Sequence, residues 1–158
     1  MSRDSQFPGH LMSEREHFSS GSSYEPEYGF SRALRVGSRV LVAGTAPIPH
    51  PGEEVAGTAY RQMLRCGQII VSVLEEAGAS PADVVRTRMY LTDPVDADEV
   101  GRAHREIFGE AVPAATMVVV AALIDPAWKV EVEVEAVVPP NLPEAGRSDE
   151  GEKDGNVS

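Results

Sequence analysis

From Val130 to Glu135 the chain alternates without a break. Val130, Val132 and Val134 fall on one side, and Glu131, Glu133 and Glu135 on the other. Period-two alternation is what a β-strand with one face on an apolar core requires, whereas a helix would scatter both sets around its circumference. The three carboxylates must then share the opposite sheet face, where they either meet water or line a polar cleft. Upstream, Thr116 to Ala122 is rich in Val and reads as a second strand, separated from the first by a turn at Asp125-Pro126.

The other elements are read against this pair. Residues 1–16 are polar and unpatterned and read as a flexible leader. His17 to Ser20 reads as a short first strand. Ser31 to Val36 and Arg39 to Gly44 read as strands joined at Gly37-Ser38, a two-residue hairpin signal. Thr45 to Gly57 carries Pro47, Pro49, Pro51 and Gly52, a loop by composition. From Ala59 to Ala77, Tyr60, Met63, Leu64, Cys66, Gly67, Ile70, Val73, Leu74 and Ala77 form one broad apolar helix face, stopped at Gly78. Ser80-Pro81-Ala82-Asp83 has the signature of a capped single turn leading into a strand, Val84 to Thr92. A second helix is predicted from about Asp96 to Phe108, ended by Gly109. Residues 17–139 thus form one domain, an α+β two-layer sandwich with two helices on one face of a mixed sheet. The other sheet face, which carries carboxylates, an Arg and several Val, calls for cover by another subunit. Residues 140–158 hold five acids and two bases and read as a disordered acidic tail.

Charge and composition exclude several function classes. The 158 residues carry a formal net charge of −11, which argues against nucleic acid as a partner, because phosphates need Lys and Arg. The single cysteine, Cys66, rules out a disulfide framework or a Cys-based zinc site, and its place on the apolar helix face marks a packed thiol. His10, His17, His50 and His104 show no metal-ligand spacing, so no metal and no cofactor is expected. No apolar run approaches the ~20 residues that a helical membrane span needs. The expected setting is the cytoplasm, without membrane contact.

The order of several short motifs resembles the reactive-intermediate deaminase family (Rid, formerly YjgF). They are Tyr28-Gly-Phe-Ser-Arg-Ala33, Val40-Leu-Val-Ala-Gly44, Glu76-Ala-Gly-Ala-Ser80, Met89-Tyr-Leu-Thr-Asp93, Pro113-Ala114-x-Thr116 and Val132-Glu-Val-Glu-Ala136. The resemblance spans roughly residues 28 to 138. It implies a chorismate-mutase-like Rid fold, a homotrimer whose sheets pack into a central barrel, and a small-molecule cleft at each subunit interface. It also implies enamine or imine hydrolysis, with Glu133 in the place of the family's water-positioning glutamate. A non-catalytic small-molecule binder or accessory protein of a metabolic pathway is the alternative on the same fold.

One departure bears on the substrate. Where active members of that family carry an Arg that grips the substrate carboxylate, this chain has Ala115. Met117 stands in place of a frequent Cys, Phe30 in place of a common Tyr, and Gly101 in place of a helix Asn. The expected substrate-binding set is Phe30, Ala43, Gly44, Arg88, Tyr90, Ala115 and Met117, around Glu133 as the base. Phe30, Ala115, Met117 and Val119 would make the cleft more apolar than usual, suited to a larger and less charged substrate than a small 2-imino acid. Strand alternation puts Arg88 and Tyr90 on the carboxylate face, with Val85, Thr87, Met89 and Leu91 toward the helices. Arg88 is then either a structural ion pair or an anion anchor beside a carboxylate base. Glu135 reads as structural. His104, among Val100, Ala103, Ile107 and Phe108, reads as a packed helix histidine, with catalysis as the alternative.

Overall fold

A computed structural model describes residues 14–139, so most of the leader and all of the acidic tail lie outside the described residues. The strands are β1 (Arg15–Phe18), β2 (Ala33–Val36), β3 (Arg39–Thr45), β4 (Val84–Leu91), β5 (Ala114–Val119) and β6 (Val130–Val137). The helices are α1 (Tyr24–Tyr28), α2 (Ala59–Glu76) and α3 (Ala97–Phe108). The strands form one mixed sheet in the order β1-β2-β3-β6-β4-β5. Only β4 and β5 run parallel, because α3 and its connections carry the chain back to the start of the sheet. The last strand, β6, lies at the centre between β3 and β4.

The alternation in β6 settles which face is which. Val130, Val132, Val134 and Ala136 are buried under the helices, and Glu131, Glu133 and Glu135 are half-buried on the other face. From β4, Thr87, Met89 and Leu91 join the core as expected. Val85 does not: the ladder with β6 slips between Val84 and Arg86, so Val84 turns inward and Val85 is 44% exposed. A β-bulge shifts the phase by one residue, which simple alternation cannot anticipate.

Helix α2 begins at Thr58, whose Oγ1 accepts the Arg61 amide at 3.2 Å, and ends before Gly78 at φ +75°. It meets α3 closely at Gly67, where an added Cβ would lie 2.4 Å from Ile107 Cδ1. The buried side of α2 also includes a polar residue, Gln62. Its Nε2 donates to the carbonyls of Ala56 (2.7 Å) and Ala127 (2.9 Å), and its Oε1 accepts the Lys129 amide (2.7 Å). One side chain thus ties two long loops to the helix and satisfies their backbone groups. No helix among the described residues is long and apolar enough to cross a membrane.

Two elements differ from expectation at the N-terminal side. β1 takes in Arg15 and Glu16, where the sequence suggests leader. The short α1 carries Pro26 and lacks an apolar stripe, so periodicity gives no sign of it. It is held by Glu25, whose carboxylate accepts from the hydroxyls of Ser19 and Ser20 and from the Ser20 amide at 2.9 Å. These hydrogen bonds hold the Glu25 carboxyl below its usual range. Gly29, at φ +71°, ends the helix and turns the chain toward Phe30.

Candidate functional site

The carboxylate face is organised in cross-strand rows. One row runs His17, Leu34, Leu41, Glu135 and Arg86, each paired with the next across β1, β2, β3, β6 and β4. The neighbouring row pairs Glu133 with Arg88 and Arg88 with Thr116. Arg88 Nη1 donates to Glu133 Oε1 at 2.7 Å and to Glu135 Oε1 at 3.3 Å, and Arg39 Nη2 reaches Glu135 Oε2 at 3.1 Å. The hydrogen bond to Glu133 raises the Arg88 guanidinium above its ordinary range, so it stays a cation at any working pH.

These rows wall a cleft of about 440 Å³, a size that takes a small organic ligand. Its polar wall is Arg88, Glu133 and Glu135, and its apolar wall is Phe30, Leu34, Leu41 and Ala43. His17 stands at one side, with Nδ1 2.8 Å from the Ser31 hydroxyl. Phe30 arrives from the Gly29 turn. Ala43 is set by a bulge in β3, where the ladder with β6 slips between Val42 and Thr45. Arg32 braces that bulge by donating from Nη2 to the carbonyls of Ala43 and Gly44.

Gly44 lies beside the cleft, against Glu131: a Cβ at Gly44 would sit 2.3 Å from Glu131 Oε1. Glycine is needed there so that the carboxylate can lie over the backbone. Tyr90 is the cross-strand partner of Glu131. Burial and the neighbouring Glu133 raise the Tyr90 phenol above its usual range. Burial likewise raises the Glu131 carboxyl, with Glu133 adding to the effect and Arg32 opposing it.

The structure brings Phe30, Ala43, Arg88 and Glu133 together in one cleft and sets Gly44 and Tyr90 beside it. Ala115 and Met117 do not join them within the protomer. In the parallel ladder they pair with Thr87 and Met89, the core-facing residues of β4, and Met117 packs against the core. The resemblance sets Ala115 and Met117 at a cleft between subunits, and Ala115 is exposed on the edge strand β5. Thr116, not Ala115, stands opposite Arg88. The sequence reading also missed Leu34 and Leu41. Their signal was present, since both are out of phase with the core residues Ala33 and Val42 across the hairpin.

His104 packs beneath the sheet, its Nε2 2.8 Å from the Thr87 hydroxyl and its ring 5.4 Å from that of Phe108. It faces away from the cleft, and burial lowers its pKa. Cys66 is fully buried, and burial pushes its thiol up to about 12. Among the described residues no three His, Cys, Asp or Glu side chains come together as a metal site.

A six-stranded mixed sheet with two long helices on one face and an Arg–Glu-walled cleft on the other defines the class: a small two-layer α+β domain with one sheet face uncovered by its own helices. Residues 21–138 match the family described as endoribonuclease L-PSP, and the chain belongs to that family, which is also known as YjgF or Rid. An uncharacterised protein of Streptomyces coelicolor is 40% identical over 117 residues, covering 74% of this chain and 87% of that protein. Among solved structures, a member of the YjgF/YER057c/UK114 family from Mycobacterium tuberculosis superposes with a TM-score of 0.72 at 42% identity, covering 79% of this chain and all of the other. A Rid-family protein of unknown function from Yersinia pestis superposes with a TM-score of 0.70 at 25% identity, covering 79% of this chain.

Proposed function

We propose that the protein is a hydrolase of C=N or enamine bonds that acts on a small molecule in the cleft, as a homotrimer in the cytoplasm. The observation that carries this reading is Glu133 on the cleft wall, paired with Arg88 at 2.7 Å, in a cleft whose apolar wall is Phe30, Leu34, Leu41 and Ala43. A carboxylate so placed takes a proton from a water molecule as that water attacks the substrate carbon. The uncovered sheet face supports the oligomer: Val85, Val118 and Val137 are all at least 40% exposed, and an exposed apolar sheet face marks an interface. A neighbouring copy would close the open side of each cleft.

The substrate is larger and less charged than a small 2-imino acid. Arg88 is already engaged by two carboxylates, and Ala115 offers no guanidinium. Charge-assisted hydrogen bonds of the missing kind contribute about 1.5–3 kcal/mol each. Endoribonuclease activity, which the family's description names, fits poorly with a net charge of −11 and a carboxylate-lined cleft.

The test supplies imines generated in place by an amine oxidase from benzylamine, and by an amino-acid oxidase from small amino acids, with semicarbazide as the competing trap. Faster release of the carbonyl product from the benzylamine imine, abolished by Glu133→Gln, is the expected result. Equal rates for wild type and Glu133→Gln would overturn the reading. Sedimentation at micromolar concentration tests the trimer, and a monomer would refute it. The absent Arg also favours a second reading, a non-catalytic binder of small molecules on the same fold. In that case Glu133→Gln changes ligand affinity and nothing else.

A further inference from the structure

Glu131 differs from the other two carboxylates of its strand. Glu133 and Glu135 are both held by Arg88. The Glu131 carboxylate makes no hydrogen bond or ion pair among the described residues and lies half-buried over Gly44. Yet it is two residues from Glu133 on the same face of β6, and Gly44 adjoins Ala43, which lines the cleft. Two carboxyl groups two residues apart on one sheet face, one paired with a cation at the cleft and one unpaired beside it, are the arrangement from which acid and base roles divide.

We propose that Glu131 is the proton donor that works beside Glu133, delivering a proton to the nitrogen of the substrate. The assignment rests on the reading of the cleft as an imine hydrolase, and the step closes on these two side chains alone. Glu133 removes a proton from water as the oxygen bonds to carbon. The π electrons of C=N move to nitrogen, which takes the proton of the Glu131 carboxyl. In the collapse of the resulting carbinolamine, the Glu131 carboxylate takes back the hydroxyl proton while Glu133 returns its proton to the departing nitrogen. The C–N bond breaks, a carbonyl and an amine or ammonia leave, and both carboxyl groups regain their starting states.

The surroundings of Glu131 suit a donor. The charged and titratable groups near it are Arg32, Tyr90, Glu133 and the buried Cys66. Arg32 alone favours its ionised form, and its guanidinium is turned onto the carbonyls of Ala43 and Gly44. Burial and Glu133 outweigh it and keep the proton on Glu131 to higher pH than on an ordinary carboxyl. The missing side chain at Gly44 makes the space, so the donor's position depends on that glycine.

The experiment uses the full chain and the benzylamine-derived imine. Wild type should lose kcat/KM on the alkaline side as Glu131 ionises. Glu131→Gln keeps the shape but has no acidic proton. It should lower kcat/KM on the order of a hundredfold, the usual scale for a general acid, and abolish that alkaline limb. Gly44→Ala, whose Cβ displaces the Glu131 carboxyl, should lower the rate in the same direction while leaving the fold intact by circular dichroism. A carboxyl-carbon NMR titration of glutamate-labelled protein gives a readout independent of turnover, with the signal lost in Glu131→Gln expected to titrate above the ordinary carboxylate range. A Glu131→Gln variant with the wild-type rate and an unchanged alkaline limb, or a Glu131 signal in the ordinary range, overturns the proposal while Glu133→Gln remains inactive. A fully active Glu133→Gln, or an inert wild type, overturns the underlying reading of the cleft and the role of Glu131 with it.

Discussion

Replacing Gln62 with Leu should destabilise the domain far more than a helix-surface change would. Leu keeps nearly the same volume in a site that is 1% exposed, so no large cavity forms. What is lost is three hydrogen bonds, to Ala56 O, Ala127 O and Lys129 N. At ~1 kcal/mol for each such bond, the loss sums to ~3 kcal/mol. The loops they hold lie near the surface, so water can reach part of the orphaned backbone, which keeps the cost at that lower bound. For a domain of this size ~3 kcal/mol corresponds to a fall in melting temperature of roughly 10–15 °C. Urea unfolding followed by circular dichroism measures the free energy, and thermal melting at the same protein concentration checks it. A loss below ~1 kcal/mol would show that water replaces all three bonds and that Gln62 is no staple. Gln62→Glu separates chemistry from shape. An ionised carboxylate can accept the Lys129 amide but repels both carbonyls, so this variant should recover stability as acid protonates it, opposite in sign to the ordinary effect of acid.

Three further outcomes are expected. Cys66, with its thiol raised to about 12 by burial, should react with a disulfide-exchange reagent only at the rate of unfolding, so rapid labelling of the native protein would contradict its packing. His104 has a folded-state pKa below its ordinary 6.5, so the unfolded chain binds its proton more tightly. Its contribution to stability is therefore full above that value and falls as pH drops below it, and His104→Gln should flatten the stability–pH curve there. Gly67→Ala should destabilise, since overpacking against Ile107 costs ~1–3 kcal/mol while helix propensity returns ~1 kcal/mol, and a clearly stabilised variant would refute the close approach of α2 and α3.

The fold was legible wherever one residue type marked a face. β6 announced its own phase, and α2 was bounded by Thr58 and Gly78 much as its pattern implies. Legibility failed where the chain gave no contrast or broke its own period. The bulge at Val85 moved one residue across the sheet, and α1 is held by Glu25 and two serines instead of by an apolar stripe. For the site, Glu133 and Arg88 could be placed on one face from alternation alone. Phe30 and Ala43 were reached only through the family resemblance, and the alternation that puts Leu34 and Leu41 on the same face does not say that cross-strand register brings them to Glu135. Gln62 was obscured by its own polarity, which kept it off the apolar face.

The central position of β6 has a consequence for how the chain is made. β3 leaves the ribosome early, but the strand that pairs with its free edge is the last one synthesised, and β4 waits for the same partner. At ~5–20 residues per second, β3 stays unpaired on that side for on the order of ten seconds. The β4–β5 pair can form only near the end of that time, once Val119 has been made, and no strand pairing joins it to the β1-β2-β3 side until β6 is in place. Completion of the sheet therefore waits for β6, and until it pairs, the facing edges of β3 and β4 are open to pairing with the wrong strand.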